Sequence, residues 1–156
     1  MQDDILATIS ASTVRRLFGV GALMILGALL IYVAFLDPPD SFIWQIFLIV
    51  LGAGSLWLAD KMRRVTLLTL ILTRTDLRES DGTLLAEVDQ ITSVERGALA
   101  FKPSNGFMLH LAAPAPRRWR PGLWWRFGRR LGVGGVTSAA QTRQMADMLA
   151  VLIAER

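Results

Sequence analysis

The segment of this chain best equipped for chemistry is residues 117–130, RRWRPGLWWRFGRR. It holds six arginines, three tryptophans and one phenylalanine in fourteen residues, with no acidic residue among them. Guanidinium groups donate paired hydrogen bonds to phosphates, and tryptophan rings favour the headgroup depth of a bilayer. The candidate lipid- or partner-binding residues are therefore Arg117, Arg118, Trp119, Arg120, Trp124, Trp125, Arg126, Phe127, Arg129 and Arg130.

The proline in this segment predicts a short helix that begins at Pro121, because proline suits the first position of a helix. In such a helix Leu123, Phe127 and Leu131 share one face, and Trp124 lies beside them. Arg126, Arg129 and Arg130 then lie toward the other side. This is the layout of an interfacial segment, in which each arginine near an anionic leaflet contributes about 1 kcal/mol.

Three interpretations of this segment remain open. It contacts the membrane surface directly, it docks on another protein, or its tryptophans cover a sheet while its arginines are solvated. Tryptophan and arginine are frequent hot-spot residues of protein interfaces. Membrane contact is favoured because a domain that follows Arg64 directly lies close to the bilayer. The same tether argues against nucleic acid, although arginine and aromatic residues also bind single strands.

The sequence predicts no enzyme, no metal site and no cofactor. It contains no cysteine, which excludes disulfides, thiolate catalysis and cysteine metal sites. His110 is the single histidine, and no nucleophile motif accompanies it. The segment that contains Gly132, Gly134 and Gly135 is rich in glycine, as phosphate-binding loops are, but it has no lysine of the kind that such loops require.

Two long apolar runs precede the soluble part of the chain. Residues 17–36 and 42–59 carry no charge, and each is long enough to cross the hydrocarbon core at about 1.5 Å per residue. The link between them contains two prolines and two aspartates, which favour a tight polar turn. Residues 1–64 are thus predicted to form an N-terminal tail and a transmembrane hairpin, with helices at about 15–36 and 42–62. The first run is longer than a signal-peptide core and lacks a cleavage pattern.

The charges around the two helices predict their orientation. Basic residues precede the first helix and follow the second, while Asp37 and Asp40 occupy the turn. By the positive-inside rule both termini are cytoplasmic, which in a bacterium places the chain in the inner membrane. The net charge of +4 also suits an anionic surface. The predicted membrane-interface anchors are Arg15, Arg16, Trp44, Trp57, Lys61, Arg63 and Arg64.

Residues 65–156 are predicted to form an antiparallel β domain of six or seven short strands. Residues 65–73 alternate in hydrophobicity, and residues 80–82 and 103–106 give turn signals. Leu99 and Phe101 are predicted in a strand that pairs with the strand beginning at Phe107, and 131–136 in a further one. A C-terminal amphipathic helix is predicted at 138–155, with its apolar face formed by Met145, Met148, Leu149, Leu152 and Ile153.

The soluble part resembles the cytoplasmic pleckstrin-homology-like (PH-like) domains of small bacterial membrane proteins. The resemblance rests on residues 68–97, LTLILTRTDLRESDGTLLAEVDQITSVERG, in which Ile91 and Val94 fit an Ile-x-x-Val element. It implies a membrane α+β protein that binds or scaffolds rather than catalyses. The expected partners are the anionic lipid bilayer and a membrane protein or second copy of this chain. The alternative function is an accessory or assembly subunit of a larger membrane complex, docked through the hairpin.

Overall fold

The computed structural model describes residues 4–96 and 103–155. Seven strands and three long helices occur in these ranges, with a short 3-10 turn at Val88–Gln90. In chain order they are β1 (Ala7–Ile9), α1 (Thr13–Leu36), α2 (Phe42–Val65), β2 (Leu70–Leu72), β3 (Asp76–Glu79), β4 (Leu84–Glu87), β5 (Ile91–Glu95), β6 (Phe107–Arg120), β7 (Trp124–Val133) and α3 (Ala139–Ala154).

The two apolar runs form a helical hairpin, as predicted, and each helix is 24 residues long. Both helices are long and apolar enough to cross a membrane, and only 11% of each apolar window is buried within the protein. A core helix of a soluble protein would be covered by its neighbours. The helices begin and end within about three residues of their predicted bounds.

Close approach of two glycines holds the helices together. A β-carbon added at Gly52 would lie 2.7 Å from Ile31 Cγ1, and one at Gly27 would lie 2.9 Å from the Gly52 carbonyl oxygen. Small residues of this kind let helix backbones pack directly in an apolar solvent. Near the turn, the Gln45 side chain donates a 2.9 Å hydrogen bond to the Ala34 carbonyl.

Along the chain, the helical hairpin lies between β1 and β2, which are neighbouring strands of one sheet. That sheet has the order β1-β2-β3-β4, and Ile9 pairs with Leu70 while Ala7 pairs with Leu72. The first strand therefore comes from residues before α1, which were predicted to form an N-terminal tail. Because β1 and β2 are hydrogen-bonded neighbours, both ends of the helical hairpin emerge from the same side of the β domain.

The second sheet has the order β5-β6-β7, and all of its pairings are antiparallel. Residues 91–95, which include the Ile-x-x-Val element, form β5 and pair with β6. The predicted strand at Leu99 and Phe101 lies outside the described residues. The strand predicted at 131–136 is the end of β7, which stops at Val133. The strand predicted over 65–73 is shorter, because α2 continues to Val65.

The core of the β domain lies between the two sheets and α3. Leu70 and Leu72, two alternate residues of the segment 65–73, are both fully buried there. The C-terminal helix is confirmed at Ala139–Ala154, and its Met145 and Leu149 are buried in the same cluster. A smaller cluster of Val20, Ala59 and Met62 joins α1 and α2 close to the β domain.

Candidate functional site: the arginine–tryptophan hairpin

Residues 117–130 form the distal part of a β-hairpin, so the predicted helix is wrong. Pro121 and Gly122 occupy the centre of a turn that the Leu123 amide closes with a 3.1 Å hydrogen bond to the Arg120 carbonyl. Gly122 has a φ of +82°, which a type II turn requires after a proline. A helix would also have to include Gly128, whose φ is +57°. We call residues 117–130 the arginine–tryptophan hairpin.

The register of this hairpin sets which side chains face each other across the strands. Arg118 pairs with Arg126, Trp119 with Trp125, and Arg120 with Trp124. Residues directly opposite in an antiparallel pair lie on the same face of the sheet. The arrangement therefore brings two arginines together on one face and two tryptophans together on the other.

Trp124 points into the protein and fixes the hairpin to the first sheet. It is 1% exposed, and its Nε1 donates a 2.9 Å hydrogen bond to Glu79 Oε1. The other carboxylate oxygen of Glu79 lies 3.2 Å from Arg120 Nη2, as an ion pair without an aligned hydrogen bond. Arg120 also approaches Asp81 Oδ2 at 3.4 Å. Two of the predicted binding residues, Trp124 and Arg120, thus have a structural role.

Arg126 is held rigidly by backbone carbonyls. Its Nε donates a 2.9 Å hydrogen bond to the Pro116 carbonyl, and its Nη1 donates to the carbonyls of Leu84 and Leu85. Only 8% of the residue is exposed. Burial, and secondarily the charge of Arg118, lower the pKa of Arg126, although a guanidinium remains protonated at neutral pH.

The remaining side chains of the hairpin surround an open groove of about 420 Å³. Phe127 is 60% exposed and Trp119 is 49% exposed. The Arg117 guanidinium lies 5.2 Å from the Phe127 ring centre, within range of a cation–π interaction. We call this feature the arginine groove; its lining residues are Arg117, Arg118, Trp119, Trp125, Arg126, Phe127 and Arg130. Arg129 is exposed and lies outside the lining.

The arginine–tryptophan hairpin lies against the end of α2. Lys61 Nζ is 4.8 Å from the Trp57 ring centre and 5.3 Å from that of Trp119, so one ammonium contacts both rings. At the turn, a β-carbon added to Gly122 would lie 3.0 Å from Met62 Cε. The arginine groove therefore lies on a hairpin that contacts the C-terminal end of α2.

Four of the other predicted anchors, Arg15, Arg16, Arg63 and Arg64, lie at the ends of the helices next to the β domain. Arg15 donates a 3.2 Å hydrogen bond to the Thr137 carbonyl, and Arg16 is half-buried. Arg63 forms a 3.0 Å ion pair with Asp60, which also pairs with Arg64. Trp44 is exposed near the opposite end of α2, beside the turn that joins the helices.

Sequence reasoning missed Glu79, the buried carboxylate that accepts the hydrogen bond of Trp124. Its position within the Leu-Arg-Glu strand gave no sign of burial, since glutamate is almost never buried without a partner. The Pro121-Gly122 pair was the available signal for a turn rather than a helix start. The backbone carbonyls that accept hydrogen bonds from Arg126 cannot be recognised in the sequence, because every residue has a backbone carbonyl.

No other group of reactive side chains comes together in the parts of the chain that the structure describes. His110 Nε2 lies 3.0 Å from Glu95 Oε1 on the second sheet. Within residues 4–96 and 103–155, no cluster of three or more histidine, aspartate or glutamate side chains could hold a metal ion. No family model, curated protein or solved structure matches this chain.

Proposed function

We propose that this chain is a non-catalytic integral membrane protein whose arginine–tryptophan hairpin contacts an anionic lipid surface. The observation that carries the proposal is Lys61, whose ammonium lies between Trp57 of α2 and Trp119 of the hairpin. If α2 crosses a bilayer, tryptophan and lysine at its end belong to the headgroup region. Trp119 and the arginines beside it then lie at the same depth.

The charge of the surface supports the same function. Among the described residues, Arg117, Arg118, Arg126, Arg129 and Arg130 form no ion pair with an acidic side chain. Unpaired arginines near an anionic leaflet attract its phosphates over about a Debye length. The surface combines this charge with exposed rings, which is the composition of an interfacial contact.

The proposed fold of the β domain is PH-like, with the helical hairpin inserted after its first strand. Sheets of four and three antiparallel strands followed by a C-terminal helix support this proposal. The positive-inside rule, applied to Arg15, Arg16, Arg63 and Arg64, gives both termini a cytoplasmic location and suits the bacterial inner membrane.

Site-directed spin labelling of the full chain in nanodiscs tests the proposal. The chain has no cysteine, so single labels can be placed at Phe127→Cys and, as a control, at Ala154→Cys on the exposed end of α3. In discs that contain phosphatidylglycerol we expect the label at 127 to collide more with oxygen than with a polar nickel chelate. The label at 154 should show the reverse. Water-like behaviour at 127 rejects the proposal.

A second candidate function is that of an accessory or assembly subunit of a membrane complex. Gly21 and Gly54 favour it, because a β-carbon added to either would meet nothing within 4 Å, so both lie on open faces of the helices. Small residues on an outer face allow another helix to approach closely. Recovery of one stoichiometric partner in mild detergent, lost in Gly54→Val, supports this function.

A further inference from the structure

We propose that two copies of this chain associate through a groove beside α3, with Arg74 of each copy paired to Glu155 of the other. The groove has a volume of about 350 Å³. One of its walls is the C-terminal half of α3, and the other is formed by Leu6, directly before β1, and by Arg74. We call it the C-terminal groove. None of its lining residues belongs to the arginine–tryptophan hairpin, so this association is independent of the proposed lipid contact.

The C-terminal groove exposes apolar side chains to solvent. Val151 is 54% exposed, and Leu6, Met148 and Leu152 pack against the core on one side while they line the groove on the other. Residues four apart on a helix share a face, so Val151 lies in a stripe with the charged residues at 147 and 155. An apolar patch bordered by charges is typical of a protein interaction site.

The position of the groove favours a protein over a lipid as its occupant. α3 begins beside the start of α1, where the Ser138 amide donates a 3.3 Å hydrogen bond to the Ser10 carbonyl. The Ser10 amide in turn donates a 2.9 Å hydrogen bond to Gln141 Oε1. At about 1.5 Å per residue, the 16 residues of α3 then extend about 24 Å. Glu155 follows the end of α3 that is distant from the helical hairpin.

The charges of the two walls identify a second copy as the occupant. Arg74 and Glu155 are exposed, lie on opposite walls and form no ion pair with any described residue. Asp147, by contrast, already pairs with Arg96. A twofold axis places the acidic wall of one copy against the basic wall of the other, so each contact forms twice. The groove is therefore complementary in charge to itself, with an apolar strip between the two pairs.

Charge reversal in the full chain tests this interface. Arg74→Glu and Glu155→Arg each replace two attractive contacts between the copies by two repulsive ones. Arg143→Glu makes the same change of charge at an exposed position of α3 outside the groove, and it is the matched control. The molar mass of the purified protein in mild detergent is measured by light scattering over a dilution series.

We expect the wild type to be a dimer that dissociates on dilution. Its dissociation constant should rise about tenfold or more in each groove variant, and less than about threefold in Arg143→Glu. A wild type that is monomeric at every concentration overturns the proposal. Dimers that persist unchanged in both groove variants also overturn it, because the copies then associate through another surface.

A mixture of the two groove variants guards against loss of association through unfolding. The groove of Arg74→Glu has gained an acid and that of Glu155→Arg has gained a base, so a twofold contact between them restores both attractive pairs. We expect the equal mixture to form heterodimers, and the double variant Arg74→Glu/Glu155→Arg to form homodimers. Two monomeric variants that do not associate when they are mixed overturn the interface.

Discussion

The Nε1 of Trp124 donates a 2.9 Å hydrogen bond to Oε1 of Glu79, and the two residues are 45 positions apart in the chain. Trp124 belongs to the second sheet and Glu79 to the first, so this bond joins the two sheets. It lies beside the turn that contacts the end of α2. The bond therefore fixes the arginine–tryptophan hairpin both to the core and near the helical hairpin.

Replacing Trp124 by phenylalanine should destabilise the β domain. The variant leaves a carboxylate oxygen of Glu79 without its donor in a fully buried position, which costs about 1–3 kcal/mol. Thermal or denaturant unfolding in detergent measures the loss. Trp119→Phe, at a half-exposed ring of the same hairpin, serves as the control and should cost less than about 1 kcal/mol. Equal losses in the two variants contradict the assigned role of the hydrogen bond.

Asp81 should make stability depend on acid pH. The Thr83 backbone amide, as the largest cause, holds the pKa of Asp81 below its ordinary value of 3.8. Stabilisation from a lowered pKa is present in full above the ordinary value and is lost as pH falls through the folded-state value.

Asp81→Asn keeps an oxygen that can accept the Thr83 hydrogen bond but has no charge. Its unfolding midpoint should lie below that of the wild type at neutral pH, and the two should converge as the pH falls below about 3.8. A gap that stays constant over this range shows that the charge of Asp81 does not contribute to stability.

Replacement by valine should destabilise the protein at Gly52 of α2 but not at Gly54. At Gly52 the added atoms clash with Ile31 and with the backbone of Gly27, so Gly52→Val should cost about 1–3 kcal/mol. Gly54→Val meets open space and should leave the isolated chain nearly as stable, which unfolding in detergent can measure. The prediction fails if Gly54→Val is the more damaging of the two in the purified protein.

Lys61 and Trp119 should show coupled energies. A double-mutant cycle of Lys61→Gln and Trp119→Leu should give a coupling of about 0.5–1 kcal/mol, the usual size of an exposed cation–π contact. The same Lys61 variant combined with Arg129→Gln provides the reference pair. Additive effects of the Lys61 and Trp119 substitutions would show that this contact between the hairpin and α2 contributes no stabilising energy.

The β domain should fold without the helical hairpin only if β1 is kept. A fusion that joins residues 4–12 to 66–155 through a short glycine–serine linker retains the pairing of Ile9 with Leu70. The fragment 65–155 lacks β1 and leaves the edge of β2 open, which favours aggregation. Solubility and dispersed amide resonances in the fusion, but not in the fragment, support the insertion. Folding of both variants shows that β1 is dispensable.

The sequence by itself determined the elements whose signals are local. The apolar runs at 17–36 and 42–59 predict helices, because the length and hydropathy of a continuous stretch are local properties of the sequence. The period of Met145, Leu149 and their neighbours specified α3 in the same way. The turn at 80–82 and the alternation over 65–73, in which Leu70 and Leu72 are the buried residues, also followed from neighbouring residues.

Only the tertiary structure decided which segments pair and which charged groups are buried. The three residues of β1 form a strand because they pair with Leu70–Leu72, from which the whole helical hairpin separates them in the sequence. The local pattern of residues 117–130 predicts an interfacial helix, but these residues form two strands. Trp124 then donates a hydrogen bond to Glu79. Arg126 donates to the carbonyls of Leu84 and Leu85. Hydrogen-bond partners of this kind are distant in sequence, so no local pattern records them.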